Sequence, residues 1–277
     1  MIEVITNIAK KEFMDNIRNK WIIIITVLFA SLTLLASYAG SIYSKGWQDL
    51  GVTILIINSL VNLLITIIAL ILGYSAIIGE IEKGSMSSLL ALPAKRIEII
   101  LGKFFGLGLV LTSTILIGFG IAGVIIGFNV PDVNYVEYLI FIGATILIGL
   151  VFLSLGILLS CLFRKRSTAM GGAILVFFLF TILWQFIVYF LILITNSFNI
   201  GDTRFPEWYF ALNFLNPLEA YSTILSLNIP TVASQQIELS SSVYPSFYNT
   251  TNMLIALLLW MIIPLSLTYW KFRNKDI

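Results

Sequence analysis

The sequence predicts an all-α integral membrane protein with six transmembrane helices and an N-terminal amphipathic helix at the membrane interface. Of its 277 residues, 59% are hydrophobic and only 11% are charged. Soluble domains average about 45–50% apolar and about 25% charged residues. The apolar residues form six long stretches, and the charged residues lie between them. We therefore expect a single membrane domain over residues 1–277.

The segment before the first apolar stretch, residues 1–20, has the pattern of an amphipathic helix. Ile2, Ile5 and Ile8 recur at helical spacing, and charged residues fill the opposite face. A helix of this kind buries its apolar face at the boundary between headgroups and acyl chains. We expect it to lie in the inner interface of the membrane; the alternative is a short solvated tail.

Six apolar stretches are long enough to cross a bilayer, which takes about 20 residues of α-helix. None of them contains Asp, Glu, Lys or Arg. A central Leu favours insertion by about 0.3–0.6 kcal/mol, whereas a central charge opposes it by about 2.5–3.5 kcal/mol. The predicted spans are residues 21–38, 50–78, 104–127, 138–163, 171–195 and 251–270.

The distribution of cations predicts the orientation. Every Lys and Arg except Lys45 and Arg204 lies in the N-terminal segment, in the loops after the second and fourth spans, or in the C-terminal tail. Because cytoplasmic loops carry the excess of Lys and Arg, both termini are expected in the cytoplasm and the chain in the cell membrane.

Two connections are expected to have structure of their own. The outer loop, residues 196–250, is too long to be structureless, and its prolines predict short, interrupted, membrane-facing helices. The cytoplasmic segment, residues 79–103, is too hydrophobic for a free loop. There we expect a short helix that ends at Pro93, and a second helix that starts near Lys95 and continues into the third span.

The sequence lacks the residues that several kinds of chemistry require. With no histidine and one cysteine, Cys161, an intrachain disulfide, a His/Cys metal cluster and a His-based triad are excluded. The phosphate loop G-x-x-x-x-G-K-[ST] is absent, because Ile97 and Phe104 stand where Gly and Ser or Thr are needed around Gly102-Lys103. We expect no catalytic residue, no cofactor bound by this chain and no nucleic-acid partner. The spans also lack the carboxylates of a proton or sodium relay.

Polar side chains form a stripe on one face of the second span and another on one face of the fifth span. Because residues four apart share a helix face, each stripe predicts a polar surface within the membrane. Such a surface lines a pathway or a dimer face; ordinary interhelical hydrogen bonding is the alternative. The two stripes are Asn58, Asn62 and Thr66, and Thr181, Gln185 and Tyr189.

The cytoplasmic segment carries a familiar pattern. Its parts are Gly79-Glu80-Ile81-Glu82-Lys83-Gly84-Ser85, then Leu89-Leu90-Ala91-Leu92-Pro93-Ala94-Lys95-Arg96, then Leu101-Gly102-Lys103. This order resembles the first cytoplasmic loop of ABC-2 type transporter permeases, which reads G-E-R-E-x-G-T, L-L-x-x-P-x-x-R and L-G-K. Leu215-Asn216-Pro217 resembles the L-N-P segment before the last span of that family. In its length, its six predicted spans and this second match, the sequence is most similar to the NosY-type permeases of nitrous oxide reductase maturation.

The resemblance implies that the first cytoplasmic loop is a coupling helix, which docks in a groove of a separate ATPase. In this family two membrane chains work with two ATPase subunits, which bind ATP and Mg. The implied partners are that ATPase, a second copy of this chain or a related permease, an accessory protein on the outer side, and membrane lipid. The residues carried over to the coupling loop are Glu80, Glu82, Gly84, Leu89, Leu90, Pro93 and Arg96.

We therefore expect the membrane permease subunit of an ATP-driven exporter, without enzymatic activity of its own. The similarity to NosY-type permeases implies a contribution to the copper centre of an exported reductase, while drug, lipid and polysaccharide cargo remain open. Two alternatives are a stand-alone transporter or channel, and a membrane assembly subunit that transports nothing. Flux that depends on the ATPase would exclude both alternatives.

Overall fold

The computed structural model describes residues 2–18, 20–39, 50–84, 86, 94–129, 134–195, 206–235 and 244–274. Within these ranges all regular structure is helical, and no strand occurs. The helices are α1 (Ile2–Ile17), α2 (Lys20–Ala39), α3 (Leu50–Tyr74), α4 (Ile78–Glu82), α5 (Arg96–Asn129), α6 (Tyr135–Leu162), α7 (Arg166–Phe178), α8 (Trp184–Ile194), α9 (Glu207–Leu212), α10 (Pro217–Asn228), α11 (Pro230–Gln235) and α12 (Thr250–Arg273).

The described chain contains five helical stretches that are long and apolar enough to cross a membrane, which confirms the predicted class of all-α membrane protein. The first predicted span corresponds to α2, whose apolar part Ile23–Tyr38 is shorter than the others, so the count of six stays a prediction. The five stretches are Leu60–Glu82, Arg96–Asn129, Tyr135–Leu162, Arg166–Ile194 and Thr250–Arg273.

Helix α6 forms the centre of the bundle, with α3, α12 and α10 packed around it. Its contact with α3 is close because two glycines face each other: a Cβ on Gly73 would lie 2.8 Å from the Cα of Gly156. Small residues at such crossings let backbones approach, which is how helices associate in lipid. On the other side of the bundle, α5 packs against α1 and α2.

The fifth predicted span is one continuous helical stretch, Arg166–Ile194, with a π-helical turn at Leu179–Leu183 between α7 and α8. Of an apolar 18-residue part of this stretch, only 6% is buried inside the chain, whereas 67% of the corresponding part of α6 is buried. Turns of π-helix within α-helices are often found at functional sites. The sequence did not predict this turn.

Part of the predicted outer loop folds back along the spans. The side chain of Asn216 donates to the carbonyl of Phe180 at 3.0 Å, and the indole of Trp260 donates to the carbonyl of Phe214 at 3.0 Å. Phe180 lies midway along Arg166–Ile194, and Trp260 lies near the middle of α12. The start of α10 therefore reaches the central level of these helices, whereas the sequence predicted a connection wholly outside the spans.

The prolines of this region begin its helices rather than only interrupt them. Pro206 precedes α9, Pro217 occupies the first turn of α10, and Pro230 is the first residue of α11. A proline fits there because the first backbone N–H groups of a helix have no partner within the helix. The hydroxyl of Tyr248 contacts Asn213 and Thr223, both at 2.9 Å, and so joins these helices to the start of α12.

Candidate coupling site at the charged end of the bundle

The short helix α4 follows a turn at Ser75–Ile77, and α6 holds this bend in place. The hydroxyl oxygen of Ser160 accepts hydrogen bonds from the backbone N–H groups of Ile77 and Ile78, both at 2.9 Å. Ser160 is fully buried. Because backbone donors at the start of a helix have no partner in that helix, this one hydroxyl satisfies two of them. The position of α4 is therefore set by α6.

Gly84, one of the predicted coupling residues, ends α4. Its φ of 74° lies in the left-handed region, and its N–H donates to the carbonyl of Ile81 at 3.1 Å. Glycine is favoured at this position because it has no Cβ to clash in that conformation. The glycine thus turns the chain out of α4.

Glu80 belongs to a group of charges around the buried Lys103 that joins three helices. The amino group of Lys103 on α5 lies 2.8 Å from Glu80 Oε2 and 2.7 Å from Glu12 Oε1 on α1. Lys11 lies 3.6 Å from Glu80 Oε1. Lys103 has only 1% of its side chain exposed. We call Lys11, Glu12, Glu80 and Lys103 the charge cluster.

Two glycines of α5 allow α1 to approach the charge cluster. A Cβ on Gly102 would lie 2.7 Å from the Cβ of Ile8, and a Cβ on Gly106 would lie 2.6 Å from the Cβ of Glu12. Both distances are shorter than van der Waals contact. The predicted amphipathic helix therefore packs its Ile8 face on α5, while Ile2 at its start is exposed.

Glu82, another predicted coupling residue, connects α4 to α7. Its Oε1 accepts the backbone N–H of Arg166 at 2.7 Å. Arg166 is the first residue of α7, where an acceptor satisfies an unpaired N–H and a negative charge interacts favourably with the helix dipole. The guanidinium of Arg166 lies 5.9 Å from the ring centre of Tyr74. The loops after the second and fourth spans thus meet through Glu82.

Arg96 connects the start of α5 to the end of α12. Its guanidinium donates to the carbonyl of Phe272 and lies 5.4 Å from the centre of that ring. Glu98 caps the start of α5. Its carboxylate accepts a hydrogen bond from the backbone N–H of Lys95 at 2.8 Å, which is half of a capping box.

The predicted coupling residues Leu89, Leu90 and Pro93 lie outside the described residues.

The sequence analysis did not single out Lys103 or Glu12 as site residues. One signal was available: Lys103 stands in an apolar helix, between Gly102 and Phe104. A lysine in such a place needs a buried partner. The identity of that partner depends on the packing of α1 on α5, because Glu12 is 91 residues away in the chain.

The polar stripes of the second and fifth spans are not joined by a hydrogen bond between their described side chains. Thr66 donates to the carbonyl of Asn62 in its own helix, and the Oδ1 atoms of Asn58 and Asn62 are enclosed without a hydrogen-bond donor. Gln185 donates to Glu219 Oε1 at 2.7 Å.

The other two residues of the fifth-span stripe have different surroundings. The hydroxyl of Thr181 is enclosed without a partner, whereas Tyr189 is 63% exposed. The three residues of this stripe therefore differ in their surroundings, because Gln185 is hydrogen-bonded, Thr181 is enclosed and Tyr189 is exposed. The contact between Gln185 and Glu219 was missed because Glu219 was assigned to a loop outside the membrane.

Comparison with known proteins identifies the family. The family model described as "ABC-2 family transporter protein" matches residues 6–277. A protein of Pseudomonas aeruginosa named "Probable ABC transporter permease protein NosY" is 33% identical over 280 residues, which cover 99% of each chain. A protein of the same name from Stutzerimonas stutzeri is 36% identical over 225 residues, or 79% of each chain. The chain belongs to the ABC-2 family of transporter proteins and is a multi-pass membrane subunit of an ABC transporter.

Proposed function

We propose that this chain is the permease subunit of an exporter in which a separate ATPase, binding ATP and Mg, docks on the charged end of the bundle. Both termini then lie in the cytoplasm, and the complex contains two ATPase subunits and two membrane chains. The observation that supports this proposal most directly is the set of contacts that fix α4 to four other helices.

The contacts of α4 suit the transmission of force. Glu80 connects α4 to α1 and α5 through Lys103, Glu82 connects it to α7, and Ser160 connects the preceding bend to α6. Removal of one partner of a buried ion pair costs about 3–5 kcal/mol, so these helices are expected to move together. A displacement of α4 by nucleotide binding would reach the spans as a rigid-body motion.

The second membrane chain is expected on the face formed by α7 and α8. This stretch has almost no cover within one copy, and it carries the exposed Tyr189. Polar groups in a membrane face protein or water rather than lipid. A second copy of this chain, or a related permease, would supply that environment.

The similarity to proteins named NosY supports a role in nitrous oxide reductase maturation, at the copper centre of that enzyme. In this role the membrane chains would respond to ATP in the cytoplasm and act on the outer side, where an accessory protein could bind. The re-entrant segment around α10 is suitably placed to pass a change in the spans to that side.

Purification with the ATPase tests the proposal. The gene would be co-expressed with the ATPase encoded beside it, and the complex isolated through a tag on this chain. We expect a stable complex that hydrolyses ATP, and loss of the ATPase when Glu82→Ala is combined with Leu89→Ala. Glu207→Gln, in the exposed first turn of α9 and outside the coupling site, is the control. A folded permease that never retains the ATPase would contradict the proposal.

A further inference from the structure

Glu219 is a carboxylate inside the bundle that the coupling site does not use. It lies in the first turn of α10, two residues after Pro217 and three after Asn216, the residue that caps the helix. Gln185 on α8 donates from Nε2 to Glu219 Oε1 at 2.7 Å. The pair therefore joins the fifth span, which carries Gln185, to the re-entrant helix α10, which carries Glu219.

The depth of the pair follows from its neighbours. Asn216 contacts the carbonyl of Phe180, midway along the fifth span, and Gln185 lies just over one turn beyond Phe180, between it and Ile194. Glu219 is thus held next to the apolar part of a span. Ionisable residues at such positions are costly and usually serve binding or transport.

Burial raises the pKa of the Glu219 carboxyl group, and two local contacts oppose this effect. A negative charge in the first turn of α10 interacts favourably with the helix dipole, and the amide of Gln185 donates a hydrogen bond to the carboxylate. No Lys or Arg in the described ranges forms an ion pair with Glu219. Within these ranges an ionised Glu219 would have no compensating cation, and a cationic ligand would supply one.

Glu219 is also accessible. Its side chain is partly exposed, and Gln185 is exposed. The neighbouring residues of α8, such as Phe186 and Phe190, are more than 60% exposed. Lipid tails cannot solvate a carboxylate on this face. A second membrane chain, with a polar path between the two copies, could accommodate it.

We propose that Glu219, held in place by Gln185, binds a positively charged group of the transported ligand in the path between two membrane chains. This inference rests on the proposed permease function and adds the chemical class of the ligand. It also gives Gln185 a defined role, which is to orient the carboxylate.

A structural role for Glu219 makes a different prediction. An acidic residue in the first helical turn stabilises its own helix, and glutamine at this position keeps the size of the side chain and can still accept the hydrogen bond from Gln185. Glu219→Gln should therefore leave the fold and the ATPase complex intact in either case. Only the cation-binding role predicts a loss of affinity for cations.

The test is a titration of the permease–ATPase complex in lipid nanodiscs with tetramethylammonium and with tetraphenylphosphonium. Tryptophan fluorescence is the readout, since Trp184 adjoins Gln185. We expect at least one of these cations to bind about tenfold or more weakly to Glu219→Gln than to the wild type, as for loss of a charged contact. Glu207→Gln should bind like the wild type.

Glu219→Asp, which keeps the charge, should retain binding and serves if Glu219→Gln does not fold. Equal affinity in the wild type and Glu219→Gln, or no binding of either cation beyond that of empty nanodiscs, would overturn the inference. Failure of the ATPase to co-purify would count against the proposed function instead, because the titration can be performed on the permease alone.

Discussion

Lys103 forms an ion pair of 2.8 Å with Glu80, and this contact joins two parts of the pattern that resembles ABC-2 permeases. Glu80 comes from the Gly-Glu part within α4, and Lys103 ends the Leu-Gly-Lys part in α5. Glu12 on α1 completes the arrangement at 2.7 Å. The pattern therefore includes a buried electrostatic contact as well as the residues of the proposed docking surface, and this contact includes the N-terminal helix.

Lys103→Met should destabilise the protein strongly. The substitution keeps an unbranched side chain of similar length but leaves the carboxylates of Glu12 and Glu80 without their buried cation. Breaking a buried ion pair from one side costs about 3–5 kcal/mol, which unfolding in detergent would measure. Lys83→Met at the exposed end of α4 should change stability by less than about 0.5 kcal/mol. Equal effects of the two substitutions would show that the charge cluster contributes nothing.

Gly106→Ala should weaken the packing of α1 on α5. The new Cβ would lie 2.6 Å from the Cβ of Glu12 and 2.7 Å from the carbonyl oxygen of Ala9, so α1 must shift, at a cost of about 1–3 kcal/mol. Gly120→Ala in the same helix meets nothing within 4 Å and should stabilise α5 by about 0.5–1 kcal/mol. Thermal unfolding of both variants is the measurement. A Gly106→Ala protein as stable as Gly120→Ala would mean that α1 does not pack as described.

Gly84→Ala should disturb the end of α4 without a steric clash. No atom lies within 4 Å of the new Cβ, but the φ of 74° is unfavourable for alanine, by about 1–2 kcal/mol. Because the effect is confined to the connection after α4, we expect the stimulation of the ATPase to fall, while the free energy of unfolding changes by no more than about 1–2 kcal/mol. Gly171→Ala in α7 also meets nothing within 4 Å and should leave the ATPase rate unchanged. Identical ATPase rates in both variants would exclude a role for this turn in coupling.

Ser160→Ala should release the bend before α4. It removes the acceptor of two buried N–H groups, those of Ile77 and Ile78, and each unsatisfied group costs about 1–3 kcal/mol. Hydrogen exchange at Ile77 and Ile78 should increase, and ATPase stimulation should fall. The exposed Ser266, which bonds only within its own helix, provides the control Ser266→Ala. Unchanged exchange at the bend would contradict the assignment.

The fold class could be predicted because hydropathy and the position of charges report directly on the membrane. The site could be predicted only in part. The resemblance identified Glu80 and Glu82 by their place in a motif, but it did not show that Glu80 is buried against Lys103 or that Glu82 caps α7. These contacts depend on which helices cross, because Glu82 and Arg166 are 84 positions apart in the chain and Glu80 and Lys103 lie on different helices.

The position of Glu219 illustrates the same limit. Its segment is polar enough to be assigned to a loop, and only the hydrogen bonds of Asn216 and Gln185 to or from the fifth span bring it to membrane depth. A re-entrant helix is too short to give the 20-residue apolar signal of a span. Proline at the start of α10, after an asparagine cap, was the available clue to a helix there.

Site-specific cross-linking tests the central claim most directly, which is that the region of α4 docks on the ATPase. Cys161 is buried, and Cys161→Ser would provide a cysteine-free background. A photo-reactive maleimide would be attached to Lys83→Cys, beside Gly84, and to Glu137→Cys at the opposite end of the bundle. Our account predicts an ATP-sensitive cross-link to the ATPase from position 83 and none from position 137. A complex that hydrolyses ATP but forms its cross-link only from position 137, or from neither position, would contradict it.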